Sequence, residues 1–229
     1  MFAKDVMTTN VITVGPNTSI GEIARLLISH HISGVPVIDD DSNVIGIVTE
    51  GDLVTKFTKD RKPRRPWWLD LVGNPGKSNP KKIIPADLTA KDVMSRNVIT
   101  ADYFATITSV AELLETNRIK RVPVIHNKRL IGIISRANLI QMLACYDKDP
   151  LGEIAEQDRQ IRQSIIDEIS EHGWSQMKLL NVLVCEGVVS FWGLADSEET
   201  RELICHAAEN TAGVKSVKNN IGIATLIDV

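Results

Sequence analysis

Two hydrophobic rhythms alternate along the chain, and the switches between them mark out its elements. Ile20, Ile23, Ala24 and Leu27 recur at helical spacing, which predicts an amphipathic helix with one apolar face. Ser19 and Glu22 form the Ser-x-x-Glu of a capping box and set where that helix starts. Two short β-rich runs follow, Val35 to Ile38 and Val44 to Val48, and Asp39-Asp40-Asp41-Ser42-Asn43 joins them as a hairpin turn. A short extended piece, Val11 to Val14, precedes the first helix, and a second helix starts near Thr49 with Asp52 in its first turn. The order is βαββα.

The same order then returns. Residues 3–38 align without a gap to residues 90–125, with 18 identities in 36 positions, where composition alone gives roughly two. Ala3-Lys4-Asp5-Val6-Met7 reappears as Ala90-Lys91-Asp92-Val93-Met94, and Val35-Pro36-Val37-Ile38 as Val122-Pro123-Val124-Ile125. One residue drops out of a turn, after which Gly46-Ile47-Val48-Thr49 matches Gly132-Ile133-Ile134-Ser135. The second unit predicts a helix over 107–117, strands over 122–125 and 130–134, and a helix from about Ser135 to Ala144. Each unit is small, so the two are expected to share one core.

Past Asp147-Lys148-Asp149-Pro150 the pattern changes. Ile161, Ile165, Ile166 and Ile169 mark a helix over 156–172, and Leu180 to Cys185 and Val188 to Leu194 alternate as strands around a Glu186-Gly187 turn. A helix from about Ser197 to Asn210 and a strand from Val214 to Ile227 complete an αββαβ unit, predicting a small sheet with both helices on one face. The expected organisation is a first repeat over 1–57, an insertion over 58–86, a second repeat over 87–146 and a C-terminal unit over 155–229.

Composition narrows the function classes. Hydrophobic residues are 43%, charged residues 24% and aromatics 4%, so the core is aliphatic, and a net charge of −3 gives no global attraction to nucleic acid or anionic membranes. No apolar run reaches membrane-spanning length and the N-terminus lacks a secretory pattern, so a cytoplasmic protein without a transmembrane segment is expected. Cys145, Cys185 and Cys205 are odd in number and far apart, and read as reduced, small apolar residues. Neither they nor His30, His31, His126, His172 and His206 show metal-ligand spacing.

The insertion is the exception in charge. Residues 56–82 hold nine basic and two acidic side chains, a net of +7, with four prolines and the pair Trp67-Trp68. It reads as a surface excursion whose tryptophans tuck onto a core or a partner, as a basic flap over phosphates, or as a nucleic-acid contact.

The repeats also carry candidate chemistry. A strand turning into a helix at Thr49 places a hydroxyl and backbone N–H groups where a phosphate can bind. Asp52, one turn on, can accept hydrogen bonds from two vicinal ribose hydroxyls. The same two residues could instead simply cap the helix.

Together, Asp5-Val6-Met7, Val35-Pro36-Val37-Ile38 and Gly46-Ile47-Val48-Thr49-Glu50-Gly51-Asp52, with their counterparts in the second repeat, resemble the CBS domain pair over about residues 1–145. That resemblance implies two α/β repeats forming one pseudo-two-fold module with two crossed clefts that bind an adenine nucleotide such as AMP, ADP, ATP or NAD. One nucleotide-binding site would use Thr49, Asp52, Thr100, Ile119, Lys120, Arg121 and Pro123. The other would use Thr13, Ile32, Ser33, Gly34, Pro36, Ser135, Arg136 and Asn138, with the backbone near Ile32 and Ile119 facing the adenine edge. The second site departs from the family pattern, with Asn138 where Asp is expected and Ser33-Gly34 where the first has Lys-Arg, so the first is expected to bind charged nucleotides more tightly.

The C-terminal unit resembles the BON domain through Val188-Val189-Ser190-Phe191-Trp192-Gly193 and through Ala208, Val214 and Val217. BON domains are linked to membranes or hydrophobic ligands. Six basic against twelve acidic residues over 155–229 disfavour anionic lipid here, so a protein-interaction role is preferred. The whole then reads as a non-enzymatic, α/β (α+β) nucleotide-responsive regulator. It would act as a homodimer, with no catalytic residues, no catalytic cofactor and a protein effector; nucleic acid and membrane are the alternative partners.

Overall fold

The computed structural model describes residues 1–59, 88–146, 154–172 and 178–223. The Trp67-Trp68 segment of the expected insertion lies outside them. In chain order the elements are α1 (Ala3–Val6), α2 (Ile20–Ser29), β1 (Gly34–Ile38), β2 (Val44–Thr49), α3 (Glu50–Lys59), α4 (Ala90–Val93), β3 (Ala101–Asp102), α5 (Ile107–Thr116), β4 (Arg121–His126), β5 (Arg129–Ser135), α6 (Arg136–Cys145), α7 (Glu156–Glu171), β6 (Lys178–Cys185), β7 (Val188–Ala195), α8 (Glu198–Asn210) and β8 (Ser216–Ile223). The helices and hairpins expected from the two periodicities are all present; α1 and α4, four residues each, are too short for periodicity to reveal.

The described chain divides into two compact units, Ile12–Val98 and Met1–Val11 with Ile99–Val229. Each βαββα body is therefore completed by the segment that the sequence repeat assigns to the other. In the unit Ile12–Val98, β1 and β2 pair antiparallel with Gly34 opposite Thr49, and Val14 bridges in parallel to Val37. The segment after α4 closes the same sheet, Ser95 and Ile47 exchanging backbone hydrogen bonds of 3.0 and 3.1 Å. Ser19 caps α2 by accepting from the Glu22 N–H, as its sequence position predicts. The helix then buries Ile20, Ile23 and Leu27 against Val14, Val35, Val37, Val48, Ala90 and Val93. Each such aliphatic side chain contributes about 1.5–3 kcal/mol on burial.

The other unit repeats this plan. β3 runs parallel to β4, β4 and β5 pair antiparallel, and Thr8 exchanges hydrogen bonds with Ile133. Its core joins Ala3, Val6 and Met7 to Ile107, Val110, Leu114, Val122, Val124, Ile134 and Met142. Within each unit the exchanged segment supplies apolar cover for the sheet: Ala90 and Val93 in one, and Ala3, Val6 and Met7 in the other.

The C-terminal sheet has order β6-β7-β8, antiparallel then parallel. Leu180, Val182, Val184, Val189, Phe191 and Ala195 point to one face, where Ile161, Ile165 and Ile169 of α7 and Ile204 and Ala208 of α8 cover them. Alternation sends Asn181, Leu183, Ser190 and Trp192 to the opposite face. That face is buried as well, with Leu183 and Trp192 packed into the core of the second repeat.

Candidate functional site

Each strand-to-helix corner is built the same way and finished differently. At the end of β2, the Asp52 carboxylate oxygen Oδ2 accepts from the Thr49 N–H at 2.8 Å and from the Thr49 hydroxyl at 2.6 Å. The Asp52 N–H returns a bond to Thr49 Oγ1 at 3.3 Å. The two residues therefore do cap α3. Oδ1 faces outward from this cap and accepts from the Ser95 hydroxyl at 3.3 Å. A carboxylate has about four acceptor positions, and these bonds fill three, so Asp52, which is half-buried, keeps capacity for a ligand hydroxyl.

At the end of β5, Asn138 Oδ1 accepts from the Ser135 N–H at 2.9 Å and from the Ser135 hydroxyl at 2.6 Å. Its Nδ2 donates to the Val6 carbonyl at 3.3 Å and to Thr8 Oγ1 at 3.1 Å. An amide offers two donors and two acceptor positions, and all are used. Asn138 is 6% exposed. A carboxylate here would set an acceptor against the Val6 carbonyl, so the asparagine is explained by its donor.

Within the unit Ile12–Val98, Gly34 lies opposite Thr49, and the Ser33 carbonyl accepts from the Glu50 N–H at 3.2 Å. Pro36 is buried, and Thr13 and Ile32 are half-buried. In the other unit, Arg121 lies opposite Ser135, and the Lys120 carbonyl accepts from the Arg136 N–H at 3.2 Å. Lys120 is exposed, Arg121, Thr100 and Ile119 are half-buried, and Pro123 is buried. Arg136, a residue of the second expected nucleotide-binding site, reaches the Leu114 carbonyl through Nη2 at 3.4 Å.

His31 and Arg118 occupy the left-handed region, with φ of 51° and 53°. Their turns let the Ile32 N–H reach the Leu27 carbonyl and the Ile119 N–H reach the Leu114 carbonyl, both at 3.0 Å. Thr8 and Ser95, which complete the corners, carry no motif of their own in the sequence beyond being hydroxyl residues at matching positions after Met7 and Met94. Among the described residues no group of His, Cys, Asp and Glu side chains could hold a metal. No described helix is long and apolar enough to cross a membrane.

The CBS domain profile matches residues 3–59 and 90–145, and the BON domain profile matches residues 157–225. Uncharacterized protein MJ1426 of Methanocaldococcus jannaschii is 35% identical over 154 residues, covering 62% of this chain and 91% of that protein. The chain belongs to the CBS domain family. It is a tandem CBS pair followed by a C-terminal BON domain.

Uncharacterized protein MJ1404 of the same organism is 31% identical over 149 residues, a match that takes in 33% of its length. The match to inosine-5'-monophosphate dehydrogenase of that organism, at 28% identity, takes in 23% of the enzyme. Among solved structures, CBSX2 in complex with AMP covers 64% of this chain and 98% of its own at TM-score 0.50 and 23% identity, a likeness of fold. The CBS domain pair of protein MJ0100, in complex with 5'-methylthioadenosine and S-adenosyl-L-methionine, is 26% identical at TM-score 0.49, covering 63% of this chain and 96% of its own.

Proposed function

We propose that this CBS–BON protein is a non-enzymatic regulator that binds an adenine nucleotide and passes its occupancy to a protein effector. The observation that carries the reading is the Asp52 corner. A half-buried carboxylate, anchored through Oδ2 and with one acceptor position left on Oδ1, suits a ribose hydroxyl beside the start of a ten-residue helix. Ile32 and Ile119 spend their N–H groups inside their turns, so an adenine edge would be met there by their carbonyls.

The Asn138 corner has no spare hydrogen-bonding capacity, so the Asp52 corner carries most of the affinity. Calorimetric titration with AMP and ATP tests this. Asp52→Ala is expected to weaken binding by more than about tenfold, the loss of charged hydrogen bonds. Asn138→Ala is expected to change it by less than about threefold, with folding of both variants checked by circular dichroism. Equal losses overturn the ranking of the sites, and absence of binding overturns the nucleotide reading.

The homodimer implied by family resemblance has candidate contacts in Ile140 and Leu143 on α6, 66% and 53% exposed, and in Val54 on α3, 60% exposed. Ile140→Glu with Leu143→Glu is expected to give a monomer by light scattering; an unchanged mass removes α6 from the interface.

A further inference from the structure

We propose that residues Asp5–Thr8 form a strap that couples the Asn138 corner to the BON domain, with Arg162 as the residue that grips its far side. The strap is held from two directions at adjacent peptide groups. Asn138 donates to the Val6 carbonyl and to the Thr8 hydroxyl, while Arg162 Nη2 donates to the next carbonyl, that of Met7, at 2.8 Å. The two carbonyls flank Met7, whose side chain is 5% exposed among core residues and whose N–H donates to the Ala3 carbonyl at 3.0 Å, so a displacement of one carbonyl is felt by the other's partner.

The BON side of the strap is rigidly mounted. Arg162 Nε donates to the Val182 carbonyl of β6 at 2.9 Å, so one guanidinium bridges the strap and the sheet. One turn earlier on α7, Arg159 Nε donates to Asp5 Oδ1 at 3.1 Å, while Asp5 Oδ2 accepts from the Phe2 N–H at 2.8 Å. The Tyr146 hydroxyl donates to the Val184 carbonyl at 2.5 Å, and Asn181 Nδ2 to Gln141 Oε1 at 2.9 Å, tying β6 to the end of the second repeat. Burial lowers the Arg162 pKa to about 10, against the opposing pull of Asp5, so the group is charged at neutral pH and held by carbonyls. A buried cation that loses a carbonyl partner must find another or drag its helix with it.

The arrangement belongs to the second repeat. In the first, the Asp52 oxygen at the matching place accepts from the Ser95 hydroxyl where Asn138 donates. Because every hydrogen-bonding position of Asn138 is filled, a ligand hydroxyl that engages this amide must displace one of its bonds, and the bonds to Val6 and Thr8 are the strap's hold. For its trigger, though not for the coupling itself, the proposal rests on the adenine-nucleotide reading.

Hydrogen exchange on the full chain tests it. Asn138→Asp is expected to speed exchange of the β6 amides Leu180–Cys185 at least fivefold, while leaving those of β1 and β2 unchanged. In the reciprocal direction, Arg162→Gln is expected to speed exchange of the Thr8 amide, which bonds to the Ile133 carbonyl, by a similar factor. Acceleration confined to the second repeat in Asn138→Asp, or an unchanged Thr8 amide in Arg162→Gln, overturns the coupling. These arms contain no nucleotide. In a further arm, saturating AMP is expected to reproduce the β6 acceleration. AMP binding by calorimetry with β6 unchanged overturns the trigger, whereas no heat of binding overturns the nucleotide reading instead.

Discussion

Gly132→Val is expected to destabilise the second repeat by about 3 kcal/mol or more, the upper end for forcing carbon into a packed core. A Cβ at this position would lie 2.3 Å from Met7 Sδ, 2.8 Å from Met7 Cγ and 3.1 Å from the Thr8 carbonyl oxygen. The methionine cannot simply swing away, because it is 5% exposed and sits among core residues. Nor can the backbone yield cheaply, since Thr8 and Ile133 exchange hydrogen bonds of 3.0 Å in both directions. For a chain of this size the loss corresponds to a fall in Tm of roughly 6–12 °C. Gly21→Ala is the control: nothing lies within 4 Å of its added Cβ on α2, so alanine should stabilise by about 0.5–1 kcal/mol. A Gly132→Val protein that melts with the wild type would show that the strap is not packed against β5.

The same contact explains two fragments of the repeat whose purpose the sequence conceals. Gly46 receives Met94 as Gly132 receives Met7, again with 2.3 Å between the added Cβ and the sulfur. Each Asp-Val-Met and each Gly-Ile is therefore one half of a lock. From the sequence, Met7 belongs with Gly46 as readily as with Gly132, because repeats with identical Ala-Lys-Asp-Val-Met segments cannot declare which body they complete. Long periodic elements were legible: α2 with its Ser19 cap, both hairpins, and the αββαβ order of the BON domain. The cap formed by Thr49 and Asp52 was legible as one of two readings of that pair, and the structure shows the cap. In the sequence Asn138 looks like a weaker copy of Asp52, since its partners Val6 and Thr8 lie more than 120 residues away. Arg162 and Asp158 sit on a helix whose charges look solvated, and nothing in the local pattern reveals that both are buried.

Asp158→Ala carries the other large effect, and it separates the BON domain's own stability from its attachment to the second repeat. Asp158 is 6% exposed near the start of α7. Its two carboxylate oxygens accept from the Glu186 and Gly187 N–H groups, each at 2.8 Å. Those residues form the two-residue turn between β6 and β7, with φ of 51° and 76°, the paired positive angles of a tight hairpin. Here the bond from the Gly187 N–H is buried, where water cannot replace the carboxylate, and the bond from the Glu186 N–H is part-buried. Alanine leaves the buried Gly187 N–H without a partner, at about 1–3 kcal/mol, and removes the part-buried Glu186 bond, worth about 1 kcal/mol, so a total loss of about 2–4 kcal/mol is expected. Asp158→Asn keeps one acceptor and faces the other N–H with a donor, and is expected to lose roughly half as much. Chemical denaturation of the full chain, followed by hydrogen exchange at β6 and β7, measures both variants. A loss under about 0.5 kcal/mol in Asp158→Ala would mean that the turn holds its own shape. The predicted order, alanine worse than asparagine worse than wild type, would instead make α7 the brace of the hairpin as well as the arm that grips the strap.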